Sequence, residues 1–402
     1  MKKIFLLTTA SIFFVLLSLK AQQSTPIEKQ ISPETKNAST QTNTTKIEQK
    51  LIFTVDARVR IEDDWGVVGA DGKTADARLR VPVRIRFGLT YNYDDNISFG
   101  TRLRTGAINN QQSEDYTLGS APGEFSTVPL DMDRMYIRYS KNNFTAWGGK
   151  NLFPFYTHDE LFWSQNVSPE GFYADYEIKI NAHFKLKPSG GYFIAITNGS
   201  PFNTDKTLKA FQILANYKTP TKEFNIATGI YKSDSLGNTP DGTATFLVNY
   251  AISVTSAKFT FNTKKLPLSI AGNFMYNFAE LNNPTIIANN HQNQNTAYSA
   301  TLEYGQLKNA HDFIISATYA HTEKYAIVDY FATDAWLRWG FTGATGTRSS
   351  NYEGIELRAG YAFGPKYNLL ARAYFVNGIA PNKPGATLES NNRFRLDFNV
   401  GF

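Results

Sequence analysis

The sequence predicts an all-β fold, a transmembrane antiparallel β-barrel of about 16 strands. Three observations carry that expectation. From Leu51 to Phe402 apolar residues recur with period two, the spacing at which strand side chains alternate faces. The connections between these segments alternate between tight turns and long loops. The longest apolar run lies at the N-terminus, and after it no run approaches the ~20 apolar residues of a membrane helix.

The N-terminus reads MKKIFLLTTASIFFVLLSLKAQQ. Lys2 and Lys3 precede an apolar stretch from Ile4 to Leu17, with cleavage expected after Ala21. This is the layout of a secretory signal peptide, residues 1–21, and not of an anchor. Residues 22–50 are polar and lack aromatics, so they bury too little apolar area to fold and read as a disordered linker. The barrel is then expected over 51–402. Aromatic residues make up 14% of the 402, yet mean hydropathy is −0.34, a combination that suits strands with one wet face. Lys plus Arg exceeds Asp plus Glu by 41 to 35, a mild +6 that does not imply nucleic acid. With no Cys in the chain, disulfide and thiolate chemistry are excluded.

The first strand, near 51–62, opens with LIFTVDARVRI. Phe53, Val55, Ala57, Val59 and Ile61 share one face; Thr54, Asp56, Arg58 and Arg60 share the other. In the second, near 77–93, RLRVPVRIRFGLTYNY sets Arg78, Arg80, Arg84 and Arg86 against Leu79, Val81, Val83, Ile85, Phe87 and Leu89. The third, near 97–107, opposes Phe99 and Leu103 to Arg102 and Arg104. The fourth, near 130–140, opposes Met135, Ile137 and Tyr139 to Arg134 and Arg138. Fainter alternation marks 144–150, 172–180 and 189–197. Clearer strands follow near 208–217, 223–232, 244–263, 266–278, 296–306 and 311–322. The last three, near 351–363, 366–377 and 392–402, complete an even number, which suits a barrel with both ends on one side.

Tight connections fall at 94–96, 141–143, 218–222, 264–265 and 364–365. Long ones fall at 63–76, 108–129, 151–171, 198–207, 233–243, 279–295, 323–350 and 378–391. Sorting of short turns to one rim and long loops to the other marks an outer-membrane barrel and has no purpose in a soluble sandwich. Near the short turns sit Tyr91, Tyr93, Tyr139, Phe144, Tyr217, Phe224, Tyr304, Phe313, Tyr361 and Phe363, as an interfacial girdle requires. The apolar face then meets lipid.

The ending RFRLDFNVGF places Phe394, Leu396, Phe398, Val400 and Phe402 on one face. It resembles the insertion signal of outer-membrane proteins, carried by Phe398 and Phe402, which implies recognition by the barrel-assembly machinery. MYIRYSKNNFTAWGGKNLFPF followed by SPEGF, with RLRVPVRIRFGLTY and ISFGTRLRTG, resembles the putative porin family of Gram-negative outer membranes. The resemblance is best over about 56–172. It implies passive transport of small hydrophilic solutes across the outer membrane, with lipid as the surroundings; it names no solute, and it leaves a monomer and a homotrimer both open.

If the apolar face meets lipid, Arg58, Arg60, Arg78, Arg80, Arg84, Arg86, Arg102, Arg104, Arg134 and Arg138 face the lumen. Arg358, Arg372, Arg393 and Arg395 approach them across the barrel seam. A turn centred on Asp95 sets Arg86 opposite Arg104, and like charges across a ladder repel, so a counter-charge or a permeating anion is called for. The middle strands offer Gln212, Asn216, Asn225, Asn273, Asn277, Thr301 and Ser316 instead. One basic wall biases a pore toward anions.

The third long loop, NLFPFYTHDELFWSQNVSPEG, corresponds to the loop that folds inward and narrows 16-stranded porins. Asp159 and Glu160 are expected to face the arginine wall, with Phe153, Phe155, Phe162 and Trp163 packing the loop inside. In DYFATDAWLRWGF, Tyr330, Phe331, Trp336 and Trp339 suit loop packing better than stacking on a sugar. No metal-ligand spacing joins the five His, and no nucleophile elbow, phosphate loop or zinc signature appears, so neither enzyme chemistry nor a cofactor is expected. His158 beside Asp159 is the only hint of the alternative, an outer-membrane barrel enzyme of lipase or protease type. A blocked structural or adhesive barrel is a third reading.

Overall fold

The computed structural model describes residues 50–401 apart from 108–110, 121–124, 126, 198–203, 237–246, 264, 282–290, 337–348 and 382–384. The expected signal peptide, all of the linker except Lys50, Trp339 and Phe402 lie outside the described residues.

Every long segment with period two is a strand. In chain order they are β1 (Leu51–Val68), β2 (Arg78–Arg80 and Pro82–Asn92), β3 (Ile97–Thr105), β4 (Leu130–Lys141), β5 (Phe144–Lys150), β6 (Glu170–Tyr176 and Ile178–Lys179), β7 (Phe184–Ile196) and β8 (Lys206–Lys218). They continue as β9 (Lys222–Ser233), β10 (Tyr250–Phe261), β11 (Leu268–Asn277), β12 (Thr296–Gly305), β13 (Phe313–Thr322), β14 (Tyr352–Gly364), β15 (Tyr367–Gly378) and β16 (Ser390–Gly401). Each pairs antiparallel with its chain neighbours, and β16 pairs with β1 from Val59↔Phe398 to Asp64↔Arg393 and beyond. The result is a closed 16-strand antiparallel barrel. Closure leaves no sheet edge, which is what lets strands cross hydrocarbon.

The faces separate as the alternation requires. Val59 and Ile61 are 50% and 41% exposed, while Arg60 and Glu62 beside them are 4% and 1% exposed. Water-accessible apolar surface on this scale belongs against lipid. At the short-turn rim Tyr91, Tyr139, Phe144, Tyr217, Tyr304, Phe313, Tyr361 and Phe363 all point outward and are exposed. In the tight β4–β5 turn Asn142 takes φ 52°, a left-handed conformation that Asn tolerates better than most residues.

Boundaries differ from the sequence reading in four places. β1 runs on to Val68, six residues past its expected end at 62 and into the expected loop. β2 is interrupted at Val81 because Pro82 has no N–H to give the ladder. β7 starts at Phe184, five residues early, since lumen-side Lys185 and Lys187 with Pro188 obscure its pattern. β10 spans Tyr250–Phe261; of its expected start, 247–249 are not strand and 244–246 lie outside the described residues.

Candidate functional site: a charged lumen crossed by three segments

The register brings like and unlike charges together in rows. One row runs Arg358↔Arg372↔Arg395↔Glu62↔Arg80 across the seam from β14 to β2. Another sets Asp56↔Arg86↔Arg104 from β1 to β3, so the opposed Arg86 and Arg104 are as the turn at Asp95 requires. Repulsion within the rows is offset by carboxylates on the same strands. Asp397 accepts from Arg60 Nε at 2.5 Å and from Arg372. Glu62 accepts from Arg395 Nε at 2.7 Å and from Arg80. Asp64 accepts from Arg393 Nε at 2.6 Å, Asp56 from Arg84 at 2.6 Å and Arg86 at 3.0 Å, and Asp133 from Arg102.

Three segments cross the lumen. The first is the β3–β4 loop, whose Glu114 and Asp115 reach Arg84, Arg86 and Arg102, and Arg58 and Arg60, respectively. The second is the β5–β6 loop, residues 151–169. Its Phe153, Phe155, Phe162 and Trp163 are buried. Phe155 meets Tyr173, Phe193 and Tyr231 of the inner wall edge-on, and Phe153 stacks on Trp163 at 4.2 Å. Gln212 on β8 clamps the backbone of Tyr156 with two 2.9 Å bonds. The third is the described part of the β13–β14 loop. Phe331 stacks on Trp163 at 4.6 Å, and Trp336 stacks on Tyr352 and meets Tyr374 edge-on. Those aromatics are spent on packing, as the sequence reading favours.

Asp159 makes no ion pair with the arginine wall among the described residues, contrary to expectation, although it lines the same recess as Arg358 and Arg372. It accepts from Ser299 on β12 at 3.0 Å and from the backbone of Leu161, because Ser256 and Asn273 draw the adjoining His158 to the neutral wall. Glu160 lies nearer the basic side, in the field of Arg372, and burial pushes its carboxyl above the usual range. Burial likewise lowers the His158 imidazole, more than Asp159 raises it.

Among the described residues two polar recesses stand out in the lumen. The larger, about 520 Å³, lies between the β5–β6 loop and the β10–β15 wall, and is lined by His158, Asp159, Glu160, Lys258, Glu303, Glu356, Arg358 and Arg372 among others. The smaller, about 80 Å³, lies against Arg58, Arg60, Arg80, Arg84 and Arg395. The part of the arginine wall on β1 to β3 is therefore largely filled by protein, and the larger recess lies against Arg358 and Arg372.

Residues 28–264 match the sequence profile of a family described as "Putative porin", more than half of the chain. The chain belongs to that family. Comparison with curated proteins gave no match. Among solved structures, the barrel is similar to Pseudomonas putida OprB in its high-pH structure, at 12% identity and TM-score 0.54, covering 89% of this chain and 96% of that one. An anion-selective porin from Comamonas acidovorans is similar at 11% identity and TM-score 0.51, over 88% and 99% of the two chains. Salmonella typhi OmpF in complex with daunomycin gives 11%, 0.50, 88% and 97%. At these identities the likeness is one of fold. With the family and the lipid-facing wall, it makes this an outer-membrane porin of a Gram-negative bacterium.

Of the fourteen lumen arginines expected in this porin, Arg58, Arg60, Arg80, Arg84, Arg86, Arg102, Arg372, Arg393 and Arg395 are ion-paired as above. Arg104 donates to the carbonyls of Thr105, Ser113 and Ala107 and lies 3.9 Å from Asp133. Arg78 stands at the exposed long-loop end of β2. Arg134, Arg138 and Arg358 make no ion pair among the described residues, and the buried Nε atoms of Arg134 and Arg358 have no partner. Sequence reasoning placed Asp56 on the lumen face but missed the other carboxylates. Asp397 shares the face of Arg393 and Arg395 by parity and was legible; Glu114 and Asp115 sit in a loop, where period two says nothing.

Proposed function

We propose that this porin is a passive diffusion channel, without turnover, for small hydrophilic solutes, and that it modestly favours anions. The observation that carries this is the polar 520 Å³ recess, on whose wall Arg358 has no ion pair among the described residues, while Lys258 is paired with Glu303 and Arg372 with Asp397. Of the lining carboxylates Asp159, Glu160, Glu303 and Glu356, Glu303 is taken up by Lys258, and the raised proton affinity of Glu160 weakens the negative side further. Size filtering by the β5–β6 loop and focusing of the field in a narrow polar passage do the sorting.

The test is conductance in a planar bilayer, with reversal potentials under a KCl gradient. Chloride should be preferred over potassium, and Arg358→Gln should shrink the preference. High salt should weaken it, since the Debye length falls from about 10 Å at 0.1 M to about 3 Å at 1 M. Cation preference in the wild type refutes the anion reading. A blocked structural barrel is the second reading, favoured by the three segments in the lumen, and zero conductance selects it. A barrel enzyme needs a nucleophile beside its base, and the buried Nε2 of His158 has no partner among the described residues.

The proposal extends to assembly. β16, with Phe398 on the lipid face, is read by the barrel-assembly machinery, and the barrel forms a homotrimer, testable by crosslinking in the membrane. Removal of residues 1–21 on export is tested by the mass of the mature chain.

A further inference from the structure

Five arginines on three adjacent strands converge on two neighbouring loop carboxylates. Glu114 Oε2 accepts from Arg84 Nη1 at 3.4 Å and Arg86 Nη1 at 3.1 Å, and its Oε1 accepts from Arg102 Nη2 at 3.2 Å. Asp115 accepts from Arg58 Nη2 through both oxygens at 2.6 and 2.8 Å, and from Arg60 Nη1 at 3.1 Å. The Glu114 side chain is 0% exposed and that of Asp115 21%. Burial alone would raise the Asp115 carboxyl, but Arg58 and Arg60 outweigh it and hold it below the usual range.

These carboxylates arrive on a polar tether. Gln112 Nε2 donates to the carbonyl of Ala332 at 2.7 Å, Asn166 donates to the Gln112 carbonyl at 3.0 Å, and Tyr116 and Thr117 add two rungs to β2. Gln112 to Asp115 contribute no buried apolar side chain, so the segment is held by charge and hydrogen bonds, which a competing anion can replace. The arginines themselves stand on strands of the closed barrel and remain in place without the loop. Their spacing already suits two carboxylates side by side.

We propose that Glu114 and Asp115 are a built-in counter-anion seated in a five-arginine site, and that the same arginines bind small di- and tricarboxylates when the loop gives way. The charge of the porin wall is then set by the β3–β4 loop and not by the third long loop. The role in transport rests on the diffusion-channel reading; the binding site does not.

The test uses the folded chain in detergent with citrate as the probe. Glu114→Gln with Asp115→Asn should bind citrate roughly tenfold or more tightly than the wild type by calorimetry, as expected when charge-assisted hydrogen bonds stop competing. Adding Arg84→Gln and Arg86→Gln should abolish the gain. In bilayers the same double variant should raise the chloride-to-potassium permeability ratio. Equal citrate affinity in wild type and variant overturns the site. Should the double variant not fold, the wild-type loop still reports. The chain has no Cys, so Ser113→Cys is a single label site, and citrate should speed its modification saturably beyond chloride of equal ionic strength. No acceleration overturns the proposal. Citrate binding in a silent bilayer would sink the channel reading and leave the site; conductance without citrate binding would do the reverse.

Discussion

Asp397→Ala should be among the most destabilising single changes in this barrel. Asp397 is fully buried and holds two arginines from different strands, Arg60 on β1 and Arg372 on β15. After its removal Arg60 keeps Asp115 at 3.1 Å and Glu62 at 3.7 Å. Arg372, 20% exposed toward the recess, has no other carboxylate in salt-bridge contact among the described residues, so its guanidinium is left half-buried and uncompensated. Breaking a buried pair from one side costs about 3–5 kcal/mol, two to nearly four decades in the unfolding equilibrium. The assay is reversible urea unfolding in lipid vesicles, read by tryptophan fluorescence and by the heat-sensitive shift on gels. Asp397→Ala with Arg372→Met should recover most of the loss, because no charge is then orphaned. A single-variant loss below about 1 kcal/mol, the worth of a water-exposed pair, would mean that water reaches the seam and the burial argument fails.

Ile85→Lys should cost about 2–4 kcal/mol because Ile85 faces lipid, whereas the same charge one residue on, at Arg86, faces the lumen; equal tolerance in the unfolding assay would contradict the assignment of faces. Deleting 155–163 should raise single-channel conductance, since Phe155, Phe162 and Trp163 fill the lumen, and an unchanged conductance in a folded barrel would place the passage elsewhere. Lowering pH from neutrality should raise chloride preference before ordinary carboxylates titrate, because Glu160 takes up its proton early, and Glu160→Gln should remove that step. The same shift has a sign for stability: the folded state holds the proton that the unfolded chain has lost, so Glu160 favours folding below the ordinary Glu value near 4.3 and loses that contribution as pH rises through its raised pKa.

The barrel was legible because its determinants are local. Alternation in LIFTVDARVRI assigns Val59 to lipid and Arg60 to the lumen whatever the partner strand, and the turn at Asp95 alone fixes Arg86 against Arg104. The aromatic packing of the third long loop was legible for the same reason, as Phe153, Phe155, Phe162 and Trp163 must be buried somewhere. The partners of the charges were not. Arg60 meets Asp397 across 337 residues, a contact that exists only once the barrel closes. Nothing near Asp159 says that it bonds to Ser299 and not to the arginines. The loop carboxylates Glu114 and Asp115 have no strand register to place them, so the fold decided that they neutralise the wall. Sequence by itself determined which residues enter the lumen; only closure decided which of them meet, because electrostatic pairing depends on distances that no local pattern encodes.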